Sequence, residues 1–351
     1  LTGKLLRVNR PIRIGFVALT DCAPLVMARE LGLFEKHGLT VELSREIGWA
    51  TIREKVVYGE LDAAHAPAGM VFAVAAGLGG IKGDCLTGLV LNLHGNAITL
   101  SQRLWQAGVR DGATLRDHIR KSRRPVTLGT VYQWSSHSVL LRLWLKRHGL
   151  DVENDAEVVV VPPSQMVAHL RAGHLDGFCA GEPWNSLAVM SRAGWVVARS
   201  AELAPAHPEK VLMVRGAFAE RFDGQHVALI AALLESAHFC DAPGNRERVA
   251  ETLARTGYVG TDAEAIHRGM RSVFDYGNGR IEPCPGFNIF ARGNANEPDL
   301  EKAAWVIRNL VSSGLATASQ FPRRTAMKCF RADIFARAAA LAQPALVSSA
   351  A

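Results

Sequence analysis

The chain repeats itself, and the repeat limits what it can fold into. Residues 11–69 and 125–183 read alike. Pro11 and Gly15 recur 114 residues on as Pro125 and Gly129. His37-Gly38-Leu39 recurs 111 residues on as His148-Gly149-Leu150, and Gly59-x-Leu61-Asp62 recurs as Gly173-x-Leu175-Asp176. Each copy reads strand, helix, strand, helix, strand. In the first copy, apolar spacing predicts strands over 12–19, 41–43 and 62–66 and helices over 23–37 and 51–58, with Gly38 and Gly59 as helix stops. In the second it predicts strands over 126–132, 158–161 and 176–180 and helices over 139–147 and 165–171. Such units build parallel sheets, so two copies predict two α/β lobes.

Ligands of open α/β sheets bind at the carboxyl ends of the strands, so two facing lobes would share one cleft. Residues 86–100 read as a strand leading out of the first lobe, and Lys210–Val214 as a strand returning to it. The expected organisation is lobe I over 1–98, lobe II over 99–209, and a return to lobe I with C-terminal helices over 210–351. Residues 222–342 are mostly helical by pattern. They are interrupted by a Gly/Pro/Asn-rich stretch, 277–298, read as a loop.

Composition narrows the function. With 48% apolar and 21% charged residues, this is a globular composition rather than a disordered one. The longest apolar run, Met70–Ala76, is too short to span a bilayer, which takes about 20 residues. A net charge of +7 favours anionic partners without naming them, and the dispersed basic residues form no nucleic-acid motif. The six cysteines have neither Cys-x-x-Cys nor zinc spacing, so they read as reduced, buried thiols and favour a cytoplasmic location. Residues 1–10 show no apolar segment of a secretory signal. No nucleophile elbow, phosphate-binding Walker loop or zinc-protease motif is present, and Gly77-x-Gly79-Gly80 follows a helix-like run rather than a strand. Asp62 and Asp176 occupy equivalent turns, which assigns them to structure rather than to acid–base chemistry.

Four strand ends carry the candidate functional residues. Thr20-Asp21 can cap a helix. Gly48-Trp49-Ala50-Thr51 and Ser135-Ser136-His137 open helices, and so does Gly181-Glu182-Pro183-Trp184. Helix N-termini present unpaired N–H groups and suit anions. Trp49 offers an apolar wall and an indole donor, His137 a donor, and Lys210 a point charge. Each also has an ordinary reading, as core, cap or solvated loop residue. What singles them out is their placement by the repeat.

These residues resemble a known family. The stretches Gly15–Asp21, Trp49–Arg53, Leu91–Asn96, Val161–Val167, Phe178–Asn185 and His207–Lys210 are similar to the nitrate/sulfonate/bicarbonate class of solute-binding proteins, most of all its nitrate-binding branch. Gly181-Glu182-Pro183-Trp184-Asn185 and His207-Pro208-Glu209-Lys210 are the most specific. The resemblance covers about residues 11–330. It implies a two-lobed, type II periplasmic-binding-protein-like fold that closes on a small oxyanion, nitrate or nitrite. It places ligand contacts on Trp49, His137, Pro163, the Gly181 backbone and Lys210. The family's cleft glutamine falls on Asn96, a shorter amide. No catalysis, cofactor or metal is implied. The absent signal, the free cysteines and the 95–99 segment favour a cytoplasmic sensor controlling an RNA-binding antitermination regulator. The alternatives are the substrate-binding component of an ABC importer, periplasmic and docking a permease, and a biosynthetic enzyme on the same fold. Lys210→Ala is expected to weaken binding and leave the fold intact.

Overall fold

A computed structural model describes residues 9–348, with side chains to residue 342. Residues 1–8, where the signal question is posed, lie outside the described residues. The chain enters lobe I through β1 (Ile12–Val17), β2 (Val41–Glu46), β3 (Ala63–Pro67), β4 (Cys85–Leu86) and β5 (Val90–His94). It crosses to lobe II for β6 (Asn96–Ser101), β7 (Val126–Thr130), β8 (Ala156–Val160), β9 (Gly177–Gly181) and β10 (Gly194–Arg199). It returns with β11 (Pro208–Arg215), then forms β12 (Val273–Gly277), β13 (Arg280–Pro283) and β14 (Asn288–Ile289). Lobe I holds the sheet β14-β5-β11-β3-β1-β2, with β4 paired to β11; lobe II holds β10-β6-β9-β7-β8. This is the α/β two-lobed architecture the sequence predicts. Among the described residues, no helix is long and apolar enough to cross a membrane.

The repeat is visible in the register. β1 pairs β3 in parallel with Ile14 opposite Ala63, and β7 pairs β9 with Leu128 opposite Gly177, both positions 114 residues on. The two turn aspartates do the same job. Asp62 Oδ2 accepts the Arg13 N–H and Asp176 Oδ2 the Thr127 N–H, each at 3.0 Å. Each thus pins the strand beside it, the structural role expected of the pair. The matched strand glycines are explained by close approach. A Cβ on Gly15 would lie 2.6 Å from Leu61 Cδ1, and one on Gly129 3.0 Å from Leu175 Cδ1. The leucine of each Gly-x-Leu-Asp turn therefore packs into the notch of its own strand.

Several boundaries differ from the periodicity, each for a local reason. The helix expected over 23–37 is broken into Ala23–Glu30 and Leu33–Lys36, because Gly32 takes a left-handed φ of 66°. The exit strand expected over 86–100 is divided among β4, β5 and β6, the last break falling where His94 and Gly95 both adopt positive φ. Asn96 consequently opens a lobe II strand and pairs with Gly181, rather than standing in lobe I. The 277–298 stretch is not an open loop. The hairpin β12–β13 and Phe287 enclose a small aromatic core of Phe274, Tyr276 and Phe287.

The lobes touch through specific bonds. The Thr20 N–H donates to the Glu182 carbonyl at 2.8 Å, Trp184 Nε1 to the Ala18 carbonyl at 3.1 Å, and Trp134 Nε1 to the Leu315 carbonyl at 3.1 Å. At that last seam Gly69 is backed by the Trp134 main chain, and a Cβ would run into the Trp134 carbonyl oxygen. Backbone cannot step aside as a flexible side chain can. Gly69→Ala should therefore cost about 1–3 kcal/mol of stability. Urea unfolding checks this; an unchanged midpoint would show that the seam is not tight.

Candidate functional site

The site forms where strand ends of both lobes converge, and a fully buried lysine is its centre. Lys210 lies on β11 with no solvent exposure. Its Nζ donates to Asp21 Oδ2 at 2.8 Å and to Glu209 Oε1 at 2.6 Å. Burial disfavours the ammonium, but the two carboxylates outweigh it and hold the Lys210 pKa above its ordinary value. Burial likewise pushes Asp21 and Glu209 up, while Lys210 pulls both below the usual carboxylate range. Asp21 is further tied to His65, whose Nε2 lies 2.7 Å from its Oδ1.

Lys210 is one of the six residues expected from the sequence, and four of the other five stand around this triad. Trp49, at the start of the helix Trp49–Tyr58, is buried, with its ring centroid 5.3 Å from Lys210 Nζ and 6.0 Å from the His137 ring. His137 sits in the first turn of Ser136–Arg147, a helix capped by the Ser135 hydroxyl, which accepts the Ser138 N–H. Its Nε2 is 3.6 Å from Glu209 Oε1. Asn96 donates from Nδ2 to Glu209 Oε2, and so does the Ser136 hydroxyl. Gly181 ends β9 against the other lobe, and a Cβ there would meet Leu19, Asn96 Oδ1 and Asp21 Oδ2 at 3.3–3.5 Å. Pro163 is apart. It is buried in the short turn Pro163–Gln165 after β8, its carbonyl accepts the Met166 N–H, and none of the cluster's hydrogen bonds involves it.

Several polar atoms here are buried without a hydrogen-bond partner: Trp49 Nε1, both ring nitrogens of His137, His65 Nδ1, Thr20 Oγ1 and Asn96 Oδ1. Leaving such groups unsatisfied costs about 1–3 kcal/mol each, so their convergence marks a place built to hold a polar ligand. Trp49 Nε1, the Thr20 hydroxyl and one His137 nitrogen are donors that suit an oxyanion, while Asn96 Oδ1 accepts. Burial holds His137 neutral, down to about 3, against the pull of Glu209. A neutral imidazole donates from only one nitrogen. Among the described residues, no group of three or more His, Cys, Asp or Glu is arranged to hold a metal ion.

Asp21, His65, Ser136, His207 and Glu209 were not foreseen as site residues. Asp21 was read as a helix cap, yet the helix after it has no side-chain cap and Asp21 turns to Lys210 instead. Glu209 precedes Lys210 on one strand, and alternation would send the two to opposite faces. The pairing of β11 with β5 is irregular at these positions, and both side chains end buried in the cleft. The clue available in the sequence was the run His207-Pro208-Glu209-Lys210, with three ionisable residues in four positions. The expectation that Lys210→Ala spares the fold is corrected by this geometry.

Residues 8–254 match the NMT1-like family. The chain belongs to this family. The nitrate import ATP-binding protein NrtC of Synechocystis sp. is 40% identical over 86% of this chain but only 46% of its own length, so the chain spans about half of that relative. The nitrate/nitrite binding protein NrtA of Synechococcus elongatus is 30% identical over 93% of this chain and 77% of its own. The solved periplasmic nitrate-binding protein NrtA of Synechocystis PCC 6803 superposes with a TM-score of 0.89 at 27% identity, covering 94% of this chain and 88% of that one. The fold and these relatives belong to solute binding and transport, a non-catalytic class.

The cytoplasmic location read from the sequence is corrected by these findings. The solved relative is periplasmic, and the relatives named here are import or binding proteins rather than sensors. The thiol argument fails physically as well. All six cysteines are buried, and burial pushes the Cys85 and Cys329 thiols up to about 12, so they form no reactive thiolate in either compartment.

Two outcomes test the site's electrostatics. Removing Lys210 would strand two buried carboxylates, so Lys210→Met should destabilise the protein by about 3–5 kcal/mol, read by urea unfolding at neutral pH. Beside the site, burial raises Glu182 from an ordinary 4.5 to about 7 despite the Ser186 N–H it accepts. The unfolded chain then releases this proton first, so Glu182 contributes a loss of stability as pH rises from 4.5 to 7 and none beyond. Relative to wild type, Glu182→Gln should gain stability across that window. Parallel stability–pH curves would refute the assignment.

Proposed function

We propose that this chain is the solute-binding part of an ABC-type importer, holding nitrate or nitrite between its lobes outside the cytoplasm. The observation that carries the reading is the convergence of unpartnered donors from both lobes on the Lys210 cluster. Trp49 Nε1 comes from lobe I, His137 and the strand end at Gly181 from lobe II, and all are buried. A planar oxyanion seated there would satisfy the indole and imidazole donors and lie within the field of the Lys210 ammonium. Because its contacts come from both lobes, it would favour their approach, since a ligand shifts a conformational equilibrium by its differential contacts. The identity to proteins named for nitrate import and nitrate/nitrite binding supports the same ligand class. A permease and an ATP-binding subunit are the partners this role requires.

Asn96 tunes the pocket. Its amide donor is committed to Glu209, and its Oδ1 is unpartnered, so it presents an acceptor where the family has a longer amide. Pro163 would contribute shape rather than a hydrogen bond.

Titration calorimetry with nitrate, nitrite, bicarbonate and a short alkanesulfonate, after unfolding and refolding to strip carried-over anion, tests the assignment. We expect saturable micromolar binding of nitrate or nitrite. Trp49→Phe keeps the apolar wall and removes one donor, so it should weaken binding by roughly 2–10-fold. Silence with both anions, or heat with bicarbonate or sulfonate alone, would refute the ligand. Trp49→Phe at wild-type affinity would remove the indole from the site.

A further inference from the structure

Away from the Lys210 cluster, two more polar groups are buried without a hydrogen-bond partner where the lobes touch, Arg53 Nε and the Tyr132 hydroxyl. They come from opposite lobes, Arg53 from the helix Trp49–Tyr58 and Tyr132 from the segment that follows β7. Their surroundings bring them together. A Cβ on Gly79 would lie 2.5 Å from Trp134 Cη2 and 3.1 Å from Arg53 Nη1, so the tryptophan edge and the guanidinium meet at one notch of lobe I. The Tyr132 ring stands 5.6 Å from that of Trp134. Burial raises the Tyr132 phenol to about 12 while the Arg53 charge pulls it back, so the hydroxyl stays neutral and can accept. Arg53 has a weak claim on its attention elsewhere. Its ion pair with Glu54 is long, at 3.4 Å, and Glu54 is half exposed to water.

Both groups belong to the helix starts that carry the site. Arg53 follows Trp49 by one helical turn, so the two share a face of their helix. The Tyr132 carbonyl accepts from the Ser135 N–H at 3.2 Å and from the Ser135 hydroxyl at 2.6 Å. Ser135 in turn caps the helix that opens with Ser136 and His137. A short path of covalent and hydrogen bonds therefore joins each unpartnered group to a residue of the site, Trp49 in lobe I and His137 in lobe II.

We infer that Arg53 and Tyr132 set how long the oxyanion is held: as the lobes settle on it, the guanidinium donates to the Tyr132 hydroxyl and ties the helix starts of Trp49 and His137 together. This rests on the oxyanion reading above. A bond made in the bound arrangement and absent from the open one raises affinity by stabilising the first against the second. It slows departure more than it speeds encounter, because the anion reaches the cleft before the bond forms. Arg53 and Tyr132 are positioning residues, acting through the lobes rather than on the anion.

The experiment is calorimetric titration of the full chain with nitrate and nitrite, with dissociation followed by stopped-flow tryptophan fluorescence and urea unfolding of the ligand-free protein alongside. Tyr132→Phe removes one oxygen and keeps the ring. It should raise Kd by roughly 2–10-fold, the rise carried by faster dissociation, with the ligand-free urea midpoint unchanged. Arg53→Gln should also weaken binding, and the double variant should bind no more weakly than Arg53→Gln alone, since the two changes remove one bond. Should Arg53→Gln not fold, Tyr132→Phe decides by itself. Wild-type Kd and dissociation rate in Tyr132→Phe would overturn the inference and leave the oxyanion site standing. Losses that add in the double variant would show that the two groups do not meet, and would overturn it too. A lowered ligand-free midpoint with an unchanged dissociation rate would assign the hydroxyl to the fold instead. No binding of nitrate or nitrite by wild type would overturn the oxyanion reading, and this inference with it.

Discussion

A lysine ammonium with no access to water is the constraint around which this molecule is arranged. Isolated, such a charge would give up its proton. Asp21 from the end of β1 and Glu209 from β11 prevent that, and Glu209 is in turn held by Asn96 and Ser136 from the other lobe. One ion cluster therefore fixes the geometry of lobe I's strand ends and fastens lobe II to them. It is a costly device, since burying charges offsets much of what their attraction returns. The surrounding donors without partners show why such an arrangement suits binding a small charged solute better than merely holding the fold.

The repeat supplies the frame for this cluster. Duplicated strand–helix–strand units, each locked by a turn aspartate on its neighbouring strand, present equivalent ends to a common cleft. Position 49 at a helix start in one lobe and position 137 in the other face each other across 6.0 Å because both open helices after strands. The asymmetry comes from the returning strand. β11 lies between β5 and β3 in the lobe I sheet and delivers Glu209 and Lys210, which have no counterpart in the repeat.

Much of this was legible beforehand. Both copies of the unit, their glycine stops, the turn aspartates and the strand that re-enters lobe I follow from periodicity and spacing. Five of six expected site residues gather in one buried cluster, and Pro163 does not join it. The failures share a cause. Asp21, taken for a cap, and Glu209, passed over beside Lys210, are governed by partners distant in sequence. Local rules price a side chain against its neighbours along the chain, and here the lysine 189 residues away decides the conformation of Asp21. Location was misread for a different reason: the thiols are buried as expected, and a buried thiol is unreactive in either compartment.

The sequence by itself determined the α/β units, their duplication and the placement of candidate donors at strand ends, because these depend on side-chain periods and turn residues that act within a few positions. Tertiary structure alone decided which of those ends meet, that His94 and Gly95 throw Asn96 into the second sheet, and that Lys210 is flanked by two carboxylates. Those outcomes depend on burial and on the distance between charges. Neither quantity exists until the lobes are packed together.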